Sequence, residues 1–129
     1  MDPHLRVLVV DDFNTMRRLI KNALGQMGLK NISEAEDGEA AIVKLETDRV
    51  DLVICDWNMP RMSGIDLLRW VRAHDEFHDM PFVMVTAEGQ KENVMEAIKA
   101  RVSNYVVKPF TTEVLQEKVE KALGKRGKA

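Results

Sequence analysis

Cysteine is nearly missing from this sequence, with Cys55 the single one in 129 residues. No disulfide framework can form within one chain. Cys55 also lies inside an apolar run, where a thiol reads as a buried strand residue rather than a reactive group. Missing too is any apolar stretch close to the length that spans a bilayer. The opening Met1-Asp2-Pro3-His4 carries no basic leader. These absences lead to the expectation of a cytoplasmic protein in a reducing environment. Neither sign of charge is in excess: the formal net charge is -2, which argues against nucleic acid or an anionic membrane as an unaided partner. Nothing reads as a linker or as a second domain. The expectation is one domain over residues 1–129, with the basic stretch 124–129 as a frayed, solvated end.

What is present is an alternation. Apolar runs occupy Leu5 to Val10, about Asn31 to Glu36, Val50 to Cys55, Pro81 to Val85 and Tyr105 to Val107. Most are apolar on consecutive residues, which suits strands buried on both faces of a parallel sheet. The second run is the most polar and is predicted at a sheet edge. Between the runs lie segments with helical spacing. Met16, Leu19, Ile20, Ala23, Leu24 and Met27 form one stripe, stopped by Gly28. Ala41, Ile42 and Leu45 mark a second helix after Asp37-Gly38, and Ile65, Leu68 and Val71 a third, capped by Ser63. Val94, Ala97 and Ile98 mark a fourth; Val114, Leu115, Val119, Ala122 and Leu123 mark a fifth, capped by Thr111. Met16, Met27, Met84 and Met95 are predicted as core filler. The pattern predicts a doubly wound α/β domain of five βα units with helices on both faces of a parallel sheet.

Three aspartates stand at the ends of two of these runs: Asp11 and Asp12 after Val7-Leu8-Val9-Val10, and Asp56 after Leu52-Val53-Ile54-Cys55. A carboxylate at the tip of a buried strand is desolvated, and several together repel one another. Taken singly each reads as a solvated strand end. Taken with Lys108, which ends the fifth run, the cluster carries three negative charges and one positive. The remaining two negative charges match one divalent cation, and Mg²⁺ held by a few carboxylates recruits phosphate oxygens. If the winding reverses after the first strand, the crevice falls between strands one and three, where these acids lie. Asp56, already ionised, needs no general base to act as a nucleophile, and its attack on a phosphoryl donor would give an aspartyl phosphate. Lys108 would offset charge on the transferring oxygens. Thr86, ending the fourth run, can reach the same crevice with its hydroxyl.

Two other chemistries lack what they need. A phosphohydrolase with an aspartate nucleophile and Mg²⁺, of the haloacid-dehalogenase type, wants Asp-x-Asp and a cap region; here Asp11-Asp12 are adjacent and no length remains for a cap. A flavodoxin-like nucleotide binder wants a Ser/Thr/Gly-rich loop after the first strand. His74 and His78, with Asp75 and Asp79 nearby, have metal-like spacing, but the stretch before Pro81 reads as a polar surface loop.

At these residues the chain resembles the receiver domain of two-component response regulators, of the stand-alone, CheY-like chemotaxis type. The resemblance is carried by Val9-Val10-Asp11-Asp12-Phe13, Thr15-Met16-Arg17-Arg18, Glu34-Ala35-Glu36-Asp37-Gly38, Asp56-Trp57-Asn58-Met59-Pro60, Met84-Val85-Thr86-Ala87-Glu88 and Tyr105-Val106-Val107-Lys108-Pro109-Phe110. It spans almost the whole chain. The flavodoxin-like strand order 2-1-3-4-5 comes with this resemblance and is not read from the periodicity. The resemblance implies a signalling switch rather than an enzyme with an external substrate, one that catalyses only its own phosphorylation and dephosphorylation. Asp56 would accept phosphate from a phosphohistidine on a histidine kinase. Asp12, Asp56 and the Asn58 backbone carbonyl would bind Mg²⁺, with Asp11 acting through water, and Lys108-Pro109 would be a cis peptide. Thr86 and Lys108 would contact the phosphoryl group, and Tyr105 would turn inward. The face of helix four, strand five and helix five, including Lys91, Ile98 and Lys118, would then change its affinity for a partner. Flagellar motor-switch protein and a phosphatase are the further partners implied, with the chain acting as a monomer in chemotaxis.

Two departures bear on output. Proteins of this type usually carry Gly-Ala-Ser-Gly or a close variant before the tyrosine, whereas this chain has Arg101-Val102-Ser103-Asn104. Ile98 stands where a small alanine is common, and its bulk is expected to crowd Tyr105. They leave open an alternative, a paralogue that serves as a phosphate sink or addresses a partner other than the motor. Asn58 and Glu88, each two residues beyond a site residue, stand where they can influence hydrolysis of an acyl phosphate.

Overall fold

The computed structural model describes residues 2–87 and 91–127, with the side chains of 125–127 left aside. Five strands and five helices alternate: β1 (Arg6–Val10), α1 (Asn14–Gln26), β2 (Asn31–Ala35), α2 (Gly38–Thr47), β3 (Leu52–Asp56), α3 (Gly64–Ala73), β4 (Phe82–Ala87), α4 (Lys91–Lys99), β5 (Asn104–Lys108) and α5 (Thr112–Gly127). The strands form one parallel sheet in the order β2-β1-β3-β4-β5. Winding reverses after β1, so β1 and β3 are neighbours and their carboxyl ends flank the crevice. The polar β2 is an edge strand, as its composition predicts.

Each strand feeds two cores, because successive side chains leave opposite faces of the pleat. Leu8, Val10, Val53, Cys55, Phe82 and Met84 pack beneath α2, α3 and α4 with Leu45, Leu67, Leu68 and Val71. Val7, Val9, Leu52, Ile54, Val83 and Val85 pack beneath α1 and α5 with Ile20, Leu24, Leu115 and Val119. Continuous apolar runs are therefore what a sheet covered on both faces requires.

The helix ends follow local chemistry. Asp37 accepts from the Ala40 N–H at 2.8 Å at the start of α2. Ser63 caps α3 through the Asp66 N–H at 3.4 Å. Thr111 accepts from the Val114 N–H at 3.2 Å at the start of α5. Gly28, with φ +90°, ends α1 in the left-handed region that glycine enters freely. Helix α5 continues past Gly124 to Gly127, and Lys128 and Ala129 of the basic end lie outside the described residues.

Several apolar residues read as core from their spacing lie on the surface instead. Leu19 is 48% exposed, Met95 54%, Ile98 58% and Val114 41%. Of the four methionines expected as filler, Met84 is fully buried, Met16 and Met27 are half-buried, and Met95 is out in solvent. Helix α4 fully buries only Ala97, with Val94 half-buried.

Candidate metal and phosphoryl site

The β1–β3 register sets the acids side by side: Val10 is paired with Cys55, so Asp11 and Asp56 leave the sheet at the same level. One oxygen from each of Asp11, Asp12 and Asp56 lies within 4.8 Å of the others. Among the described residues this is the single group of three or more acid, histidine or cysteine ligands so arranged. Asp11 and Asp56 are buried, while Asp12 is exposed at the mouth.

Asp11 is fixed on nearly every side. Its backbone N–H donates to the Ala35 carbonyl at 3.1 Å, and its Oδ1 accepts from the Phe13 N–H at 2.9 Å. The other oxygen, Oδ2, is buried and accepts no hydrogen bond. Lys108 Nζ stands 3.9 Å from it, beyond hydrogen-bond reach. Burial pushes the Asp11 carboxyl up from 3.8 to about 6; the Phe13 N–H opposes this, and the Asp56 carboxylate adds to it. A buried carboxylate oxygen without a donor is costly. An all-oxygen set with one such orphan suits a hard divalent cation, so these residues fit Mg²⁺.

Lys108, carried by β5 across the sheet, donates from Nζ to Asp56 Oδ1 at 2.9 Å. Burial raises the Asp56 carboxyl above its ordinary range, and the Lys108 hydrogen bond and charge draw it back. Thr86, near the end of β4, is buried, and its Oγ1 has no hydrogen-bond partner. A free acceptor oxygen and a free hydroxyl thus flank the Asp56–Lys108 pair. Gly64 permits this geometry: a Cβ there would be driven into the Asp56 carbonyl oxygen and to 2.8 Å from Met84 Sδ. Its N–H donates to the Trp57 carbonyl at 2.8 Å, fixing the β3–α3 turn.

The remaining residues singled out in the sequence fall in distinct places. Asn58 is exposed just beyond Asp56. The Lys108-Pro109 bond is cis. Tyr105 is half-buried on β5, with Lys118 Nζ 5.3 Å from its ring centroid. Ile98 and Lys91 are exposed on α4. Arg101 takes φ 65°, a left-handed conformation that costs a residue with a Cβ roughly 1–2 kcal/mol. Glu88 lies outside the described residues.

His74, Trp70 and Phe77 form a cluster of three rings in mutual contact, with the His74 centroid 5.0 Å from Trp70 and 4.7 Å from Phe77 and those two 5.9 Å apart. His78 pairs with Asp79 at 3.2 Å. The two histidines belong to no group of metal-ligating side chains among the described residues. Phe77 is nevertheless buried, so this segment is pinned to the core rather than wholly solvated.

One interaction at the site was not read from the sequence, although Arg17 and Glu34 both lie in the segments that carry the resemblance. Arg17 donates from Nη1 to the Asp11 carbonyl at 2.6 Å and from Nε to Glu34 Oε1 at 2.8 Å. Lys21 Nζ holds Glu34 Oε2 at 2.9 Å. The available signal was an arginine in the first turn of a helix, where the helix dipole disfavours a cation.

With this geometry in place, comparison with known proteins is informative. A family model described as the response regulator receiver domain matches residues 7–120. The chain is 51% identical over 117 residues to the chemotaxis protein CheY of Pseudomonas aeruginosa, covering 91% of this chain and 94% of that protein. It is 46% identical over 121 residues to chemotaxis protein CheY-3 of Vibrio cholerae, covering 94% and 93%. The solved structure of chemotaxis response regulator CheY4 of Vibrio cholerae matches with a TM-score of 0.85 at 31% identity, over 93% of this chain and 99% of that one. A response regulator receiver protein from Pseudomonas putida matches with a TM-score of 0.83 at 27% identity, over 94% and 99%.

Proposed function

The chain belongs to the response regulator receiver family, and from that premise we propose that it is a CheY-type switch thrown by phosphorylation of Asp56. The observation that carries this reading is the Lys108–Asp56 contact at 2.9 Å, set beside two buried polar atoms without partners, Asp11 Oδ2 and Thr86 Oγ1. Asp11, Asp12, Asp56 and the Asn58 backbone carbonyl would hold Mg²⁺. When bound, the ion supplies positive charge that draws phosphate oxygens into the crevice and balances the acids.

Asp56 attacks the phosphorus of a phosphohistidine on a kinase. The new O–P bond forms as the P–N bond breaks, and the imidazole leaves with the electron pair. Lys108 shifts from Asp56 alone to share its charge with the transferred oxygens. The Thr86 hydroxyl, free of other partners, donates to a phosphoryl oxygen. Water later cleaves the acyl phosphate and restores the carboxylate, with Asn58 and Glu88 placed along the sequence to influence its approach. The added group carries about -1.5 to -2 charges. Drawing Thr86 toward it moves the end of β4, and Tyr105 settles inward from its half-exposed position beneath Lys118. The signal leaves through α4, β5 and α5, where Met95, Ile98, Val107 and Val114 present exposed apolar side chains. A histidine kinase upstream, and a flagellar motor-switch protein and a phosphatase downstream, are the partners of this reading, with the chain a monomeric cytoplasmic domain over residues 1–129. No helix among the described residues is long and apolar enough to cross a membrane.

A second reading has specific support. Arg101 at φ 65° and the exposed Ile98 reshape the output face, which favours a paralogue acting as a phosphate sink or on a partner other than the motor.

The test uses a small acyl or amido phosphate with Mg²⁺. Wild-type protein is expected to gain one phosphoryl group and Asp56→Asn none. Absence of the gain in wild type would leave a docking module, and multiple turnover of an external phosphomonoester would indicate a hydrolase. Pull-down on a motor-switch peptide, with and without phosphorylation, separates the two outputs.

A further inference from the structure

We propose that Arg17, held by Glu34, whose other oxygen is taken by Lys21, is a positioning residue for the divalent cation. It sets the backbone of Asp11 so that Oδ2 faces the acid cluster. The inference rests on the reading of that cluster as a metal site.

Asp11 has four polar atoms that could fix its orientation, and three are engaged. Its N–H is held by the Ala35 carbonyl, its Oδ1 by the Phe13 N–H, and its carbonyl by Arg17 Nη1 at 2.6 Å. Only Oδ2 is left over, buried and without a donor. Two of the three restraints come from β2 and its neighbourhood. Ala35 acts directly, and Glu34, the residue before it, acts by gripping Arg17 Nε at 2.8 Å. Lys21 takes the second Glu34 oxygen at 2.9 Å, so the carboxylate is gripped at both ends. These bonds draw the Glu34 carboxyl below its ordinary range, the Lys21 hydrogen bond contributing most and Arg17 next.

The placement of Arg17 has a cost that points to a purpose. It lies in the first turn of α1, which contains no acidic residue and whose N-cap, Phe13, offers no side-chain hydrogen bond. A cation at a helix N-terminus is disfavoured by the dipole. The planar guanidinium fork is what allows one side chain to hold a carbonyl and a carboxylate at fixed angles; a lysine ammonium cannot do this. Groups behind metal ligands fix their orientation, and losing one typically weakens metal affinity roughly 10–100-fold.

The sign of the effect separates positioning from plain electrostatics. Arg17 is a positive charge near a cation site, so by Coulomb's law alone its removal would tighten Mg²⁺ binding. Positioning predicts the opposite. We expect Arg17→Met, which keeps the apolar stem, to weaken Mg²⁺ binding about 10-fold. Arg17→Lys, which keeps the charge but not the fork, should weaken it as well, and Glu34→Gln should do so to a lesser degree. Arg18→Met removes one positive charge from the exposed neighbouring position and should leave the affinity unchanged or slightly tighter. Mg²⁺ titration by calorimetry reads these constants, and urea unfolding in EDTA reads stability separately. The Mg²⁺ concentration giving half-maximal phosphoryl uptake should shift by the same factor as the binding constant. Variants that lose stability yet bind Mg²⁺ as tightly as wild type would show a structural role only and overturn the inference. Tighter binding by Arg17→Met would overturn it in favour of simple charge. If wild type itself takes up no Mg²⁺, the metal reading fails and this inference with it.

Discussion

Replacing Asp11 by asparagine should make the metal-free protein more stable, although it removes a residue of the site. Burial holds the Asp11 carboxyl at about 6 rather than 3.8. At pH 7 the group is ionised in both folded and unfolded chains, so the folded state bears the cost of a charge it resists. At 1.36 kcal/mol per pH unit, that displacement corresponds to about 3 kcal/mol. Because the folded carboxyl keeps its proton up to about pH 6, the stability of the metal-free chain falls as pH rises between 3.8 and about 6. The raised Asp56 carboxyl adds in the same direction, whereas Glu34, held below its ordinary 4.5, contributes stability that is lost only in more acid solution. Asparagine keeps an oxygen for the Phe13 N–H and carries no charge. In EDTA at pH 7, Asp11→Asn should gain up to about 3 kcal/mol in urea unfolding and roughly 10 °C in thermal midpoint. Near pH 4 the gain should largely vanish. With Mg²⁺ at a hundredfold excess over its dissociation constant, wild type should recover about 2.7 kcal/mol, and the variant much less. A variant no more stable than wild type at pH 7 in EDTA, or a wild-type stability flat from pH 4 to 7, would refute the reasoning.

Gly64→Ala should be severely destabilising, by roughly 3 kcal/mol or more, since the added methyl meets the Asp56 carbonyl rather than a side chain that can move; an unchanged denaturation midpoint would count against the described turn. Arg72→Met removes bonds from Nε to the Arg101 carbonyl at 3.0 Å and from Nη1 to the His78 and Met80 carbonyls at 3.1 and 2.7 Å. It should cost about 2–4 kcal/mol in urea unfolding, with Mg²⁺ affinity unaffected because the contacts lie at the opposite ends of the strands. Mg²⁺ should alter the fluorescence of Trp57, which follows Asp56 and is 7% exposed; a Trp57→Phe variant, leaving Trp70 alone, should lose that response.

Much of this protein was legible one residue after another. Val7 to Val10 and Leu52 to Cys55 announce strands covered on both faces, because burial on two sides leaves no alternating polar position. Asp37, Ser63 and Thr111 announce helix starts, because a cap bonds only two or three residues ahead. The acids of the site were legible for a related reason: each ends a strand, and in a parallel sheet all strand ends of one kind lie on one edge. The family resemblance added Tyr105 and the cis bond before Pro109, and the likeness to known receivers bears out the family itself.

What stayed hidden depends on which elements come to lie against one another. Met95, Ile98 and Val114 carry apolar side chains at helical spacing, yet spacing cannot say which of them a helix turns to the core, and here they are exposed. Arg17 and Glu34 stand 17 positions apart and look like ordinary surface charges until α1 is laid beside β2. Sequence alone determined the elements, the caps and the acids at the strand tips, because those follow from bonding and burial along the chain. Tertiary structure decided which Asp11 oxygen is left without a partner and which arginine holds its backbone, because those depend on distances the folded chain alone creates.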